Sequence, residues 1–274
     1  MSDQLHAALY SFEDLAIVAR STDAGHLVWL REFLEPDFSV SDALAGDCEA
    51  AVVEDDRRYA EMRDAQGLEE APLLDCFALD SSVVRLPVVD RRGGVTIVVD
   101  EQFESAYVID ADRRHVEIVT WTGNRRVRAS LLRVVREFAM NHLHGRGLLL
   151  HAAAIAAGDA GLMIAGHKAS GKTTLVTYLL SEGAASYLSN DRVLVTDDGG
   201  GPVIRNIPTV ISVRPGTLEA CPAFRARFER SGYASYLCTL DELARGPRQA
   251  IAPNQFGNYF LSPAQYRRLV EAPQ

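Results

Sequence analysis

The sequence predicts a mixed α/β fold in two parts, a smaller N-terminal domain of α+β type and a C-terminal α/β domain. Three observations lead to this prediction. Short apolar runs between turn residues fill 83–121, a strongly periodic helical segment covers 127–143, and apolar strands alternate with helices after it. The 274 residues, 47% of them hydrophobic, are enough for two cores. We place the boundary near residue 124, so that the domains span 1–124 and 125–274.

The N-terminal domain is predicted to hold two helices and an antiparallel sheet. Residues 24–34 and 59–65 have helical patterns, and 15–19 is typical of a strand. Turn signals at 91–94 and 110–112 separate short apolar runs. Those runs are the predicted strands of the sheet, at 83–89, 94–99, 105–110 and 115–121.

The C-terminal domain is predicted to begin with the helix 127–143, which Gly145 and Gly147 end. Apolar runs at 148–156 and 162–165 are typical of buried strands, and a helix covers about 172–182. Helices and loops are expected from Thr217 onward. The remaining predicted elements are strands at 185–188, 192–196 and 203–213, a hairpin turn at 197–201, and an interruption of the last strand near Pro208.

The composition excludes several classes of function. A formal net charge of −9 argues against a nucleic-acid partner, and we interpret the arginine-rich stretch 125–136 as a solvated helix face. The four cysteines form no closely spaced pair, which argues against a zinc site or a disulfide framework. We find no signal peptide and no apolar stretch of about 18 residues. We therefore expect a soluble, cytoplasmic protein without a membrane partner.

One segment has a recognisable phosphate-binding pattern. Gly166 to Thr173 matches G-x-x-x-x-G-K-[ST], with an apolar strand before it and a helix after it. Glycines let such a loop curl so that its N–H groups point at a phosphate, and the N-terminus of the helix adds positive potential. The lysine reaches the outer phosphates and the threonine hydroxyl serves Mg²⁺. The predicted nucleotide site comprises Gly166, His167, Lys168, Ala169, Ser170, Gly171, Lys172, Thr173 and Thr174, with ATP and Mg²⁺ as ligands.

A phosphate loop of this kind needs an acidic residue for the metal or for the proton of the acceptor. Asp191 is the candidate, because it follows the next apolar strand, where a neighbouring strand would end beside the loop. We expect Thr173 and Asp191 to hold the metal. His151 lies within an apolar run, where a buried histidine with satisfied hydrogen bonds is the ordinary interpretation and a catalytic one the alternative.

The order of these motifs resembles the catalytic domain of bacterial HPr kinase/phosphorylase. In that family a histidine precedes the loop, an Asp-Asp pair follows it, and a strand bearing an arginine comes next. His151, Asp191 and Arg205 stand at the matching positions, over about residues 145–215. The chain departs from the family at Asn190, which replaces the first aspartate, at Ile204, which replaces a glutamate, and by one inserted residue before the pair.

The resemblance implies an HPr kinase-like catalytic domain and an ATP- and Mg²⁺-dependent kinase that phosphorylates a hydroxyl, such as a serine of a peptide or protein. The chain resembles the divergent members, which include kinases that tailor peptides such as lasso peptides, more than it resembles the true HPr kinase. Asp191 or His151 would accept the proton of the acceptor, Lys172 would hold the donor, and Arg205 and Arg214 would add positive charge. A nucleotide-binding regulatory module without phosphotransfer and a kinase of small molecules such as serine are the alternatives. The oligomeric state, a homo-oligomer included, is left open.

Overall fold

The computed structural model describes residues 5–65, 71–77, 83–167, 170–183, 185–197, 199–231 and 259–271. The described residues form two compact units, one up to His142 and the other from Leu143 onward. The sequence-based boundary near residue 124 lies before the helix that the structure assigns almost wholly to the first unit. Hydrogen bonds explain that assignment, because Ser130 on this helix lies 2.7 Å from Ser105 (Oγ to Oγ) on a strand of the first unit.

The first unit is built on one sheet in which nine strands are described. Their order is β3-β1-β2-β4-β9-β8-β7-β6-β5. The last four strands along the chain form the antiparallel sheet expected for 83–121. Parallel pairing of β2 with β4 and of β4 with β9 extends it. The strands are β1 (His6–Phe12), β2 (Leu15–Ser21), β3 (Ser39–Ser41), β4 (Cys48–Glu54), β5 (Leu73–Phe77), β6 (Val83–Arg92), β7 (Val95–Asp100), β8 (Ser105–Ile109) and β9 (His115–Thr120).

The described residues of this unit include three helices: α1 (Ala24–Leu34), α2 (Asp56–Arg63) and α3 (Val127–Leu143). The predictions at 24–34 and 127–143 match α1 and α3, whereas the helix predicted at 59–65 begins and ends earlier, as α2. Asp23 caps α1 by accepting a hydrogen bond from the N–H of Gly25, and Asp55 caps α2 in the same way through Arg58. The caps fix where each helix begins, and the apolar faces of the helices supply part of the core.

The interpretation of the arginines in 125–136 as a solvated face is wrong for two of them. Arg133 and Arg136 are each only 3% exposed. Arg133 pairs with the buried carboxylate of Asp100, donates to the hydroxyl of Tyr107 at 3.1 Å, and lies over the ring of Phe103. A buried charge is stable only when it is paired and hydrogen-bonded, so these contacts allow the guanidinium of Arg133 to enter the core.

The second unit contains two small three-stranded sheets and a strand pair among its described residues. The sheet orders are β12-β11-β13 and β10-β14-β15, and β16 pairs with β17. The helices are α4 (Lys172–Ser181), α5 (Pro215–Ala220), α6 (Pro222–Arg230) and α7 (Pro263–Val270). The strands are β10 (Leu148–Leu150), β11 (Ala152–Ala157), β12 (Ala160–Ala165), β13 (Ser186–Ser189), β14 (Val193–Asp197), β15 (Pro202–Asn206), β16 (Ile211–Val213) and β17 (Tyr259–Leu261).

The single strand expected at 148–156 is wrong, because the chain breaks at His151 and continues in the other sheet. Leu150 pairs with Val193, and beyond the break Ala154 pairs with Ser189. Ala154 and Ser189 keep the register of the β10–β14 pairing, and the register shifts by one residue at Ile155. The strands β10 and β11 thus run beside β14 and β13 as one antiparallel ribbon that is interrupted in its middle. The interruption removes ladder hydrogen bonds at 151–153 and at 190–192, where the polar residues of the ribbon lie.

Helix α4 packs against helices from later parts of the chain. Val176 and Leu180 share a core with Phe224 and Tyr266 from α6 and α7. Thr177 Oγ1 lies 2.7 Å from the hydroxyl of Tyr266. The residues after 215 that the structure describes therefore pack with the helix that carries the predicted lysine. None of the helices in the described ranges is long and apolar enough to cross a membrane.

Candidate functional site

The predicted phosphate loop connects β12 to α4, as its pattern requires. Gly171 caps the helix in a left-handed conformation, with φ of +87°. A Cβ added to Gly166 would lie 2.7 Å from Ser170 Oγ, which is closer than such atoms approach. The backbone therefore favours glycine at position 171, whereas a Cβ at position 166 would have to displace the Ser170 hydroxyl. Lys168 and Ala169 lie outside the described residues.

The side chain of Lys172 folds back over this loop. Its ammonium donates to the carbonyl oxygens of Gly166 at 2.9 Å and His167 at 3.0 Å. The N–H of Ser170 donates to the same His167 carbonyl at 3.1 Å. His167 is exposed. The ammonium is therefore held within the loop, which is where a lysine must lie to meet the outer phosphates of a nucleotide.

The two threonines after Lys172 have different surroundings. Thr174 Oγ1 lies 2.8 Å from Thr217 Oγ1, so its hydroxyl joins α4 to α5. The side chain of Thr173 is half-buried in the first turn of α4, and its carbonyl oxygen accepts a hydrogen bond from Thr177 Oγ1 at 2.7 Å. Of the two hydroxyls, that of Thr173 is the one suited to a metal ion.

The sheet β12-β11-β13 brings the predicted residues to one edge. Strand β11 is antiparallel to both neighbours, so β12 and β13 end at the edge where β11 begins. Ala165 pairs with Ala152, so Gly166 follows β12 beside His151, and Nδ1 of His151 lies 3.3 Å from Oδ1 of Asp191. Neighbouring strands lie about 4.8 Å apart. The start of the loop at Gly166, His151 and Asp191 consequently form one row.

His151 and Asp191 are in contact. The Nδ1 atom of His151 lies 3.3 Å from Oδ1 of Asp191, and their side chains are 41% and 17% exposed. The interpretation of His151 as a buried histidine is therefore wrong. The break in the strand turns this residue out of the apolar core, and its partner is a carboxylate. An exposed imidazole paired with a half-buried carboxylate is a suitable acceptor for the proton of a hydroxyl.

The second oxygen of Asp191 and the amide oxygen of Asn190 are both buried without a hydrogen-bond partner. Unpaired oxygens in a buried position are rare, and functional sites are among the places where they occur. Hard oxygen ligands of this kind suit Mg²⁺, which binds through one or two protein groups together with substrate phosphates. Thr173 and Asp191 fit that use. Within the described part of the chain, no cluster of three or more His, Cys, Asp or Glu side chains could bind a metal by itself.

Arg205 and Arg214 are placed differently from the row. Arg205 is half-buried on β15, opposite Leu194 of β14. Its Nε lies 3.3 Å from the hydroxyl oxygen of Thr196, a residue that follows Asp191 by five positions. Arg214 is exposed at the residue that caps α5. The arrangement thus unites the loop, His151 and Asp191, whereas the two arginines lie on neighbouring elements.

Sequence reasoning missed two buried polar residues, Asn206 at the end of β15 and Thr209 three residues later. Both side-chain amide atoms of Asn206 and the hydroxyl of Thr209 are buried without a hydrogen-bond partner. Neither residue belongs to a motif, so only the pairing of β14 with β15 could have identified them. Comparison with protein-family models, with curated proteins and with solved structures gave no match to this chain.

Proposed function

We propose that this protein is an ATP- and Mg²⁺-dependent kinase of the HPr kinase-like type that phosphorylates a hydroxyl, with a serine of a peptide or protein as acceptor. One observation carries the proposal: the glycine loop with its lysine and the His151–Asp191 pair lie at the same edge of one sheet. A phosphate-binding loop beside a carboxylate–imidazole pair supplies the two groups that transfer of a phosphoryl group to a hydroxyl requires, one to hold the donor and one to accept the proton.

In the proposed reaction the acceptor oxygen bonds to the γ-phosphorus of ATP, and the bond from that phosphorus to the β–γ bridging oxygen breaks, leaving ADP. The proton of the hydroxyl passes to Asp191, whose other contact, with His151, holds the carboxylate in place. Lys172 and the loop N–H groups hold the donor phosphates. Mg²⁺, bound through Thr173 and Asp191, would supply positive charge to the phosphate oxygens.

A nucleotide-responsive binding module without phosphotransfer is the second candidate. Asn190 and Ile204 favour it, because both replace acids of the resembled family and a neutral residue cannot contribute charge to a metal. A kinase of a small hydroxyl compound shares the site and differs only in its acceptor. Incubation with γ-labelled ATP and candidate peptides separates these functions, because the module would bind the label without transferring or hydrolysing it.

The lysine is the first test of the proposal. Lys172→Ala removes the only described ammonium held in the loop, so we expect nucleotide binding to weaken by ~10- to 100-fold, the equivalent of one charge-assisted contact, and transfer to be lost. Isothermal titration calorimetry with Mg·ATP measures the affinity. Arg146→Ala is a suitable control, because this exposed basic residue precedes β10. Unchanged turnover in Lys172→Ala would rule out the kinase.

Asp191 separates catalysis from binding. Asp191→Asn keeps the shape of the side chain but removes its basicity, so we expect ATP affinity within a few-fold of the parent and transfer slowed by ~100-fold or more. A radiolabel transfer assay and calorimetry on the same preparation give both values. An equal loss of binding and transfer would assign Asp191 a structural role instead.

A further inference from the structure

A second polar segment runs beside Asp191. Val193 of β14 pairs with Asn206 of β15, and the N–H of Ile207 donates to the carbonyl of Arg192 at 3.4 Å. These two contacts hold Asn206 and Ile207 alongside Val193 and Arg192. Asn206 therefore lies on the strand next to the one that Asp191 precedes, although the two residues are 15 positions apart in the sequence.

The side chains of Asp191 and Asn206 have complementary unpaired hydrogen-bonding groups. Oδ2 of Asp191 is a buried acceptor without a donor, and Nδ2 of Asn206 is a buried donor without an acceptor. The other oxygen of Asp191 is already in contact with His151. Thr209 adds a hydroxyl that is also buried and unpaired, on a side chain only 2% exposed. Unpaired polar groups gathered on adjacent segments are normally joined directly or by a bound water.

We infer that Asn206 is a positioning residue that orients the proposed catalytic carboxylate. Its amide N–H group donates to Oδ2 of Asp191, through a rotation of either side chain or through one bridging water. Oδ1 then keeps its contact with His151, and the remaining lone pairs of the carboxylate serve the metal and the acceptor. The effect of Asn206 on catalysis rests on the proposed function, whereas the hydrogen bond to Asp191 does not.

A neutral amide suits this role better than a charged group. A lysine or arginine at position 206 would form an ion pair with Asp191 and oppose its action as a base, whereas a carboxylate would repel it. An amide supplies a directed hydrogen bond and leaves the negative charge in place. Asn190, on the other side of Asp191, cannot substitute through its oxygen, because that atom is an acceptor.

Three substitutions at this position separate the donor from the shape of the side chain. Asn206→Ala and Asn206→Asp both remove the donor, so we expect kcat to fall by ~10- to 100-fold with the affinity for Mg·ATP unchanged, as for other outer partners of a reacting group. Asn206→Ser keeps a hydroxyl donor, and we expect kcat within about five-fold of the parent. Val203→Ala, at the exposed start of the same strand, controls for disturbance of β15.

Asn206→Asp is the decisive variant, because it preserves the shape of the side chain while replacing the donor with a carboxylate that would repel Asp191. Parent-like kcat in Asn206→Asp would overturn the inference while leaving the proposed function intact, provided that Asp191→Asn is slow. A loss of Mg·ATP affinity equal to the loss of kcat would also overturn it, because a positioning residue for Asp191 affects the chemical step.

Crystal structures of the parent protein and Asn206→Asp test the hydrogen bond without any assay of transfer. We expect Asn206 Nδ2 to contact Oδ2 of Asp191, or a water shared by both, in the parent. In Asn206→Asp we expect the carboxylate of Asp191 to turn and its contact with His151 to be lost. If the parent transfers no phosphate, the proposed kinase fails and these structures alone decide the inference. An unchanged Asp191–His151 contact in the variant would refute it.

Discussion

At the residue scale, the most informative titratable group outside the site is His26, which is 2% exposed in α1. Burial, which disfavours the charged ring, lowers the pKa of His26 to about 4, with Asp23 opposing this effect and Arg128 adding to it. Ser21 Oγ lies 2.9 Å from Nδ1, and the same oxygen accepts the N–H of Asp23. The folded first unit therefore favours the neutral form of the His26 ring.

This predicts a pH dependence of stability with a definite sign. The unfolded ring titrates near its ordinary value of about 6.5, so between pH 6.5 and 4 the unfolded chain binds more protons than the folded one. The free energy of unfolding should fall through this window as pH decreases, by up to about 3 kcal/mol. Urea unfolding at pH 7 and pH 4.5, followed by the fluorescence of Trp29 and Trp121, reports on the first unit.

His26→Gln is the matching variant, because it keeps a polar side chain that does not titrate. In this variant we expect a smaller difference in unfolding free energy between the two pH values, because the contribution of His26 is absent. The carboxylates and the remaining histidines contribute as in the parent. The same pH dependence in the variant and the parent would show that the buried ring is not its source.

The placement of a residue was predicted where local sequence determines it and missed where tertiary packing does. The positions of Gly171 and Lys172 at the start of α4 follow from a contiguous motif, and their proposed roles stay predictions. The exposure of His151 and the burial of Arg133 do not follow from such a motif, because each depends on a partner distant in sequence, Asp191 in one case and Asp100 in the other. Asn206 carries no local signal at all.

At the element scale, the two ends of α4 offer a controlled test of the phosphate loop. Gly171 precedes the helix with φ of +87° and Gly183 follows it with φ of +71°, and a Cβ at either position would meet open space. An alanine in a left-handed conformation costs ~1–2 kcal/mol at either end. The two substitutions should therefore destabilise the fold alike and differ only in what they do to the loop.

We expect Gly171→Ala to weaken Mg·ATP binding by ~10-fold, because the backbone strain falls on the loop that must present its N–H groups. Gly183→Ala should lower the thermal midpoint of unfolding by a similar amount and leave the affinity unchanged. Calorimetric titration and thermal unfolding of both variants provide the comparison. Equal affinities in the two variants would mean that the loop does not bind the nucleotide.

The elements themselves could be predicted to the extent that their patterns are local. Helices α1 and α3 and strands β6 to β9 matched their predicted positions because periodicity and turn residues define them. The break between β10 and β11 could not be predicted, since the run 148–156 is apolar on both sides of His151. The parallel pairing of β2, β4 and β9 joins segments far apart in sequence, and no local pattern encodes such a partner.

At the scale of the whole molecule, the net charge of −9 is the sum of a negatively charged first half and a positively charged second half. Residues 1–142 contain 27 acidic and 15 basic side chains, whereas residues 143–274 contain 10 and 13. The half that carries the glycine loop is therefore net positive, which favours an anionic ligand there. The expectation that nucleic acids are not partners was based on the average over both halves, and it stays a prediction.

Hydrogen exchange tests where the nucleotide binds in the intact protein. A ligand at 100 times its dissociation constant stabilises the state that binds it by ~2.7 kcal/mol, which can slow exchange by opening up to ~100-fold. We expect Mg·ATP to protect peptides covering 160–182 and 185–197. The same experiment on Lys172→Ala should show no protection. Protection confined to residues before His142 would place the nucleotide elsewhere and contradict the proposed site.

The ammonium of Lys172, held by two loop carbonyls, has an unusual chemical setting. Lys168 and Lys172 are the only lysines among the 28 lysine and arginine residues. Every side-chain amine of this sequence therefore belongs to one loop, and acylating reagents become reporters for it. Trypsin does not cleave after an acylated lysine, so the single fragment 147–192 would contain all the label on lysine side chains together with His151 and Asp191.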